Sequence, residues 1–130
     1  ALSYIGQGEE WRDNHGEFIR KINRGREGEP WCAGFVSYVL LMSGKTEIGY
    51  TLSAREIYRR GKKVKEPKVG DIICFKRGKN PRSGHVGIIV RVTDSTIETV
   101  EGNTGKFPSY VKKIKYNRKN IKNLLGFVRV

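Results

Sequence analysis

Apolar positions fall at helical intervals through much of the first half of the chain, and at the spacing of strands beyond Gly61. In GEFIRKINRG, Phe18, Ile19 and Ile22 share one side of a helix, and Gly25 offers a stop. WCAGFVSYVLLMSG is apolar on nearly every face, which predicts a buried helix with Gly44 as its C-terminal cap. SAREIYRRG, residues 53–61, predicts another helix, opened by the Ser53 hydroxyl and closed at Gly61. The opening segment SYIGQGEEWRDN reads as a short helix as well.

The later segments VGDIICFKRG, HVGIIVRV, TIETVEGN and LLGFVRV are short, rich in β-branched residues, and separated by Gly, Asn, Asp and Pro. YVKKIKY predicts a further strand, basic on its exposed side. Helices first and strands afterwards imply an α+β fold, with N-terminal helices packed on one face of a C-terminal antiparallel β-sheet. No repeat, low-complexity tract or linker interrupts the pattern, so residues 1–130 read as a single domain, a length that suits one core.

Composition narrows the class. Hydrophobic residues make up 37% and charged residues 30%, as in a soluble globular chain. No apolar run approaches the roughly 20 residues of a membrane helix, so membrane insertion is not expected. No targeting signal is visible behind Ala1, and the terminus therefore says little about compartment. The net charge of +13 is unevenly spread. Residues 1–60 carry 9 Lys+Arg against 8 Asp+Glu, whereas residues 61–130 carry 17 against 5. Such a basic half attracts polyanions, an attraction that weakens with salt. Charge alone does not choose among nucleic acid, anionic cell-wall polymers and lipid surfaces.

The two cysteines, Cys32 and Cys74, are too few for a disulfide framework, and no CxxC or Cys/His zinc spacing occurs. Cys74, inside the strand DIICF, reads as a small buried core residue. Cys32 differs: it stands at the front edge of its helix, just after Pro30 and Trp31. A helix N-terminus stabilises a thiolate through its dipole and free N–H groups, which can also hold an oxyanion. His85 opens the strand HVGIIV and is the candidate proton acceptor. A third group must orient the imidazole. VEGN supplies Glu101 and Asn103, whose i, i+2 spacing on extended chain puts both on one face; spacing alone leaves open which of them touches His85. Lys76, Lys79 and Arg82, in the loop KRGKNPRSG, should lie beside His85. Asp71 reads as the cap of the turn into its strand, and Trp31 as a packing residue.

PWCAGFVSYVL, then GD before an apolar strand, then GHVGIIV, then EGN, resembles the CHAP group of the NlpC/P60 superfamily, papain-like cysteine amidohydrolases and peptidases that cut peptidoglycan. The flanks YIGQGEE, TLSAREIYRRG and GFVRV resemble a subgroup common in phage and prophage lysins, so the likeness covers essentially the whole chain. The resemblance implies that Cys32 is the nucleophile, His85 the general base and acid, and Glu101 the residue orienting His85, with Asn103 as an additional polar residue. It also implies a monomeric hydrolase of peptidoglycan, an endopeptidase or N-acetylmuramoyl-L-alanine amidase, working in the bacterial cell wall or periplasm. The basic half would help it dwell on anionic wall polymers. Some members bind calcium in an acidic loop, but EEWRD and EGE do not form a D-x-D-x-D pattern, so neither metal nor cofactor is expected. Two rivals are a basic nucleic-acid-binding module and a catalytically silent wall-binding domain. No interleaved nucleic-acid motif supports the first, and the intact Cys, His and Glu/Asn set argues against the second.

Overall fold

A computed structural model describes residues 1–81 and 83–130 of the chain. Arg82, one of the residues expected near His85, lies outside the described residues. Three helices precede most of the sheet: α1 (Glu17–Ile22), α2 (Cys32–Met42) and α3 (Ala54–Arg60). Six strands follow: β1 (Lys62–Val64), β2 (Ile72–Lys76), β3 (Gly84–Val92), β4 (Thr96–Glu101), β5 (Lys112–Asn117) and β6 (Leu124–Arg129). They form one antiparallel sheet in the order β1-β6-β2-β3-β4-β5. The fold is α+β, as the change of period implies.

Local chemistry explains the element ends. Ser53 caps α3 by accepting the Glu56 N–H at 3.2 Å. Past α2, Gly44 takes φ +80°, and the Lys45 N–H returns to the Leu40 carbonyl, the left-handed ending that Gly permits. Asp71 accepts the Lys68 N–H at 2.7 Å, closing the turn into β2, and also pairs with Arg129 of β6 at 2.7 Å.

α2 is buried over most of its surface: Cys32, Ala33, Gly34, Phe35, Val36, Ser37, Val39 and Leu40 are all enclosed. Its apolar side chains meet Ile72 and Cys74 of β2, Val86 and Ile88 of β3, and Val100 of β4 in the main core. Each large side chain so enclosed contributes about 1.5–3 kcal/mol. A second apolar cluster, Ile73, Phe75, Ile89 and Ile97, covers the opposite sheet face with Tyr116 and Phe127. β2 and β3 are therefore buried on both sides, which is why they read as continuous apolar runs.

Two elements depart from the expected pattern. SYIGQGEEWRDN is not a helix beyond a 3-10 turn at Leu2–Tyr4. Gly6 takes φ +94°, and Gly8 forms a bridge with Tyr110 so close that a Cβ would lie 2.3 Å from the Ser109 carbonyl. The segment is extended because it docks along residues 109–111. β1 carries only three residues, too short to register as alternation, and is held by its pairing to β6.

Candidate active site

Cys32 is the first residue of α2, and Trp31 is its N-cap. With no side-chain cap, the first N–H groups of the helix remain available. Trp31 is fully buried and is fixed on three sides. Its indole N–H donates to Glu9 Oε2 at 3.1 Å, and Phe18 meets it edge-on at 6.0 Å. Gly102 lies beneath the ring, where a Cβ would come within 2.4 Å of it. Glu9, also buried, accepts from the Asn14 N–H at 2.8 Å and the Ser109 N–H at 2.7 Å. One carboxylate thus ties the extended N-terminal segment, the start of α2 and the region after β4 together.

His85 is buried at the start of β3, opposite Phe75 of β2, with the two rings 5.9 Å apart. Gly84 lets it approach, since a Cβ there would lie 2.8 Å from the Phe75 carbonyl. Arg55 of α3 steadies the incoming loop by donating to the Ser83 carbonyl at 2.8 Å. His85 Nε2 meets Glu101 Oε1 at 2.7 Å. Because the carboxylate accepts, Nε2 carries a proton. The imidazole and the Val86 N–H both act on the Cys32 thiol.

Glu101 occupies space that Gly87 leaves empty: a Cβ at Gly87 would lie 2.4 Å from Glu101 Cγ. Its second oxygen accepts from the Thr99 hydroxyl at 2.5 Å and the Tyr116 hydroxyl at 2.6 Å. Three hydrogen bonds thus satisfy this buried carboxylate on both oxygens, as a buried charge requires.

Electrostatics follow from these contacts. Burial pushes the Cys32 thiol upward, but the His85 bond and charge, the Arg77 charge and the Val86 N–H carry it below its ordinary value. Burial pulls His85 downward, yet hydrogen bonds and charges from Cys32 and Glu101 raise it to about 9. Burial also opposes ionisation of Glu101, but His85, Thr99 and Tyr116 hold its carboxyl below the usual range. Together these shifts favour a thiolate–imidazolium pair. Cys74 shows the contrast: burial without such partners pushes it up to about 12. Both cysteines are free.

Of the four residues singled out in the sequence, the structure brings Cys32, His85 and Glu101 together. Asn103 stands apart. β4 ends at Glu101, and Asn103 takes a left-handed φ of +57°, so the extended i, i+2 geometry expected of this pair does not hold. Its contribution is its backbone carbonyl, which accepts from Arg77 Nη2 at 3.2 Å. Arg77 was not singled out. The same Nη2 stands 3.2 Å from His85 Nδ1, to which it can donate only while that nitrogen is unprotonated. Parity offered a signal: Arg77 lies two residues beyond Phe75 and continues the ladder opposite Ser83, so it follows the face of Phe75 and His85. Glu9 gave no such signal, sitting in a segment without periodicity.

A cavity of about 260 Å³ has His85, Glu101 and Arg77 in its wall. A larger groove, about 590 Å³, opens at the N-terminal segment and has neither His85 nor Cys32 in its wall. No group of three or more potential metal ligands occurs among the described residues. Nor is any helix among them long and apolar enough to cross a membrane.

Comparison with curated proteins returned no match. The family pattern of the CHAP domain matches residues 23–103, a span that opens just before α2, contains Cys32, His85 and Glu101, and closes at Asn103. The chain therefore belongs to the CHAP domain family, whose members are typically hydrolases acting on peptidoglycan.

Proposed function

We propose that the protein hydrolyses amide bonds of bacterial peptidoglycan with Cys32 as nucleophile, lysing cell wall as a muramoyl–alanine amidase or an endopeptidase. The reading is supported most directly by His85, held at Nε2 by Glu101 at 2.7 Å while its other edge meets the Cys32 thiol at the front of α2. His85 Nδ1 accepts the thiol proton, and the sulfur attacks the amide carbonyl carbon. The electron pair moves to oxygen, and the Cys32 N–H, at the first turn of α2 and without a side-chain cap among the described residues, stabilises the oxyanion. Collapse of the tetrahedral adduct breaks the C–N bond as His85 Nδ1–H protonates the leaving amine. Water, deprotonated by the neutral imidazole, then hydrolyses the thioester and returns the proton to sulfur. Glu101 stays ionised throughout, fixing the tautomer and stabilising the imidazolium. Asn103 assists through its carbonyl on Arg77 rather than through contact with the imidazole.

The place of action is the bacterial wall, and the exposed lysines Lys112, Lys113 and Lys115 along β5 would hold the domain on anionic wall polymers. The sequence flanks favour a phage or prophage lysin. Purified peptidoglycan treated with wild type and with Cys32→Ala, followed by mass spectrometry of the released fragments, tests the reading and names the bond cut. Equal release by both proteins, or none by either, refutes cysteine-dependent hydrolysis.

A further inference from the structure

We infer that the cavity beside the His85–Glu101 pair is an anion subsite, with Arg77 as the residue that receives a carboxylate of the substrate; this rests on the hydrolase reading above. The cavity of about 260 Å³ has three cations in its wall, Lys76, Arg77 and Lys122. None of the three has a carboxylate within ion-pair distance among the described residues. The one carboxylate in the wall, Glu101, has its oxygens taken by His85, Thr99 and Tyr116. Thr104 shares the wall, and its hydroxyl is buried without a hydrogen-bond partner among the described residues. An unsatisfied hydroxyl beside unpaired cations is arranged for an acceptor that the protein does not itself supply.

Arg77 is the member that reaches the chemistry. Its Nη2 divides between the Asn103 carbonyl and His85 Nδ1. The second of these bonds requires Nδ1 to be unprotonated, so it must break when His85 takes the thiol proton. A bound carboxylate gives the guanidinium a stronger, two-pronged partner and draws it off Nδ1. Nδ1 is then free to accept from Cys32, and the positive charge against the nascent imidazolium is neutralised. The occupant belongs to the molecule being cut because the cavity borders the imidazole itself. Its chemical class is a peptide with a free carboxylate close to the scissile amide.

The test uses synthetic stem peptides that differ only in whether each free carboxylate is converted to a carboxamide. Calorimetry on Cys32→Ala reads binding without turnover, and wild-type kcat/KM reads cleavage. The carboxylate form should bind about tenfold more tightly than the carboxamide, the range of one charge-assisted pair. The preference should vanish when Arg77→Gln is added and survive in part with Arg77→Lys. Thr104→Val should weaken carboxylate binding several-fold while leaving the unfolding temperature unchanged or raised, since it removes an unpaired buried hydroxyl; it keeps the test alive if Arg77→Gln folds poorly. Equal affinity for the two peptides, binding of neither, or a preference that survives Arg77→Gln overturns the subsite. Equal wild-type cleavage of both peptides overturns it too, while leaving the hydrolase reading intact. A preference in Cys32→Ala alongside no cleavage by wild type supports the subsite and sinks the hydrolase reading instead.

Discussion

Glu101→Gln isolates the charge that holds His85. Glutamine keeps the shape and an oxygen for the Nε2 proton but removes the negative charge 2.7 Å from the ring. His85 stands at about 9, against an ordinary value of 6.5, despite a burial effect that acts in the opposite direction. At about 1.4 kcal/mol per unit, the protonated form is favoured by roughly 3 kcal/mol. Cys32 and Glu101 each supply a hydrogen bond and a charge to that rise. Removing the Glu101 charge therefore lowers His85 by at least about one unit in the variant. The sign is then fixed. The active pair needs imidazolium, which is present below the folded value and lost as pH rises through it. Wild-type kcat/KM on soluble peptidoglycan fragments should therefore fall along an alkaline limb near 9, and that limb should lie at least about one unit lower in Glu101→Gln. At pH 8.5 the variant should be roughly threefold slower or more from this effect alone. Iodoacetamide alkylation of Cys32 across the same range checks the thiol without substrate. An alkaline limb that superimposes on that of wild type would show that Glu101 does not set the protonation of His85.

Three further outcomes follow from the same contacts. Gly87→Ala places a methyl 2.4 Å from Glu101 Cγ, a buried side chain with no room to yield; stability should fall by about 1–3 kcal/mol and activity by more than the unfolded fraction explains, read by denaturant melts beside kinetics at equal folded concentration. Glu9→Gln turns an amide NH₂ toward N–H donors from Trp31, Asn14 or Ser109, so the midpoint of unfolding should drop by the equivalent of about 1–3 kcal/mol; an unchanged midpoint would mean that this carboxylate is not a fastener. Cys74→Ala should keep wild-type turnover at a cost of about 1 kcal/mol, and labelling of the folded protein should reach Cys32 alone; labelled Cys74 would contradict its burial and its shift to about 12.

What the sequence disclosed depended on whether the physics was local. The apolar faces of residues 32–42 could be satisfied only by burial, so α2 was legible, as was the change of period after Gly61. His85 and the pair Glu101 and Asn103 were legible as candidates because each stands at the end of a recognisable strand segment, but only the fold separates Glu101 from Asn103. The docking of residues 5–10 was not, because Gly8 is there to admit the backbone of residues 109–110, a contact about 100 positions away. Glu9 looked like one acid in a polar run, and only the tertiary structure turns it inward to Trp31 and Ser109. Asn103 misled for a local reason: the strand stops at Glu101, and alternation lapses where the chain turns left-handed. Arg77 was hidden among neighbouring cations, since a charge count does not say which guanidinium faces the imidazole.

These contacts explain why four short segments far apart in sequence must keep their spacing. Trp31 is the pivot. Its indole N–H is held by Glu9, and its ring lies against Gly102, the residue directly after Glu101. Because Cys32 follows Trp31 directly, the surface that positions the thiol also positions the turn behind the histidine's carboxylate. Displacement of the N-terminal segment would reach Cys32 through Glu9 and Trp31, and reach Glu101 through Gly102. The thiol and its partners come from different layers of the fold, α2 on one side and β3 and β4 on the other. Their registration rests on these noncatalytic contacts. Glycine at 84, 87 and 102 is required by the same closeness: Gly84 faces the Phe75 carbonyl of β2, Gly87 the Glu101 side chain of β4 and Gly102 the Trp31 ring, each so near that even a methyl group has no room.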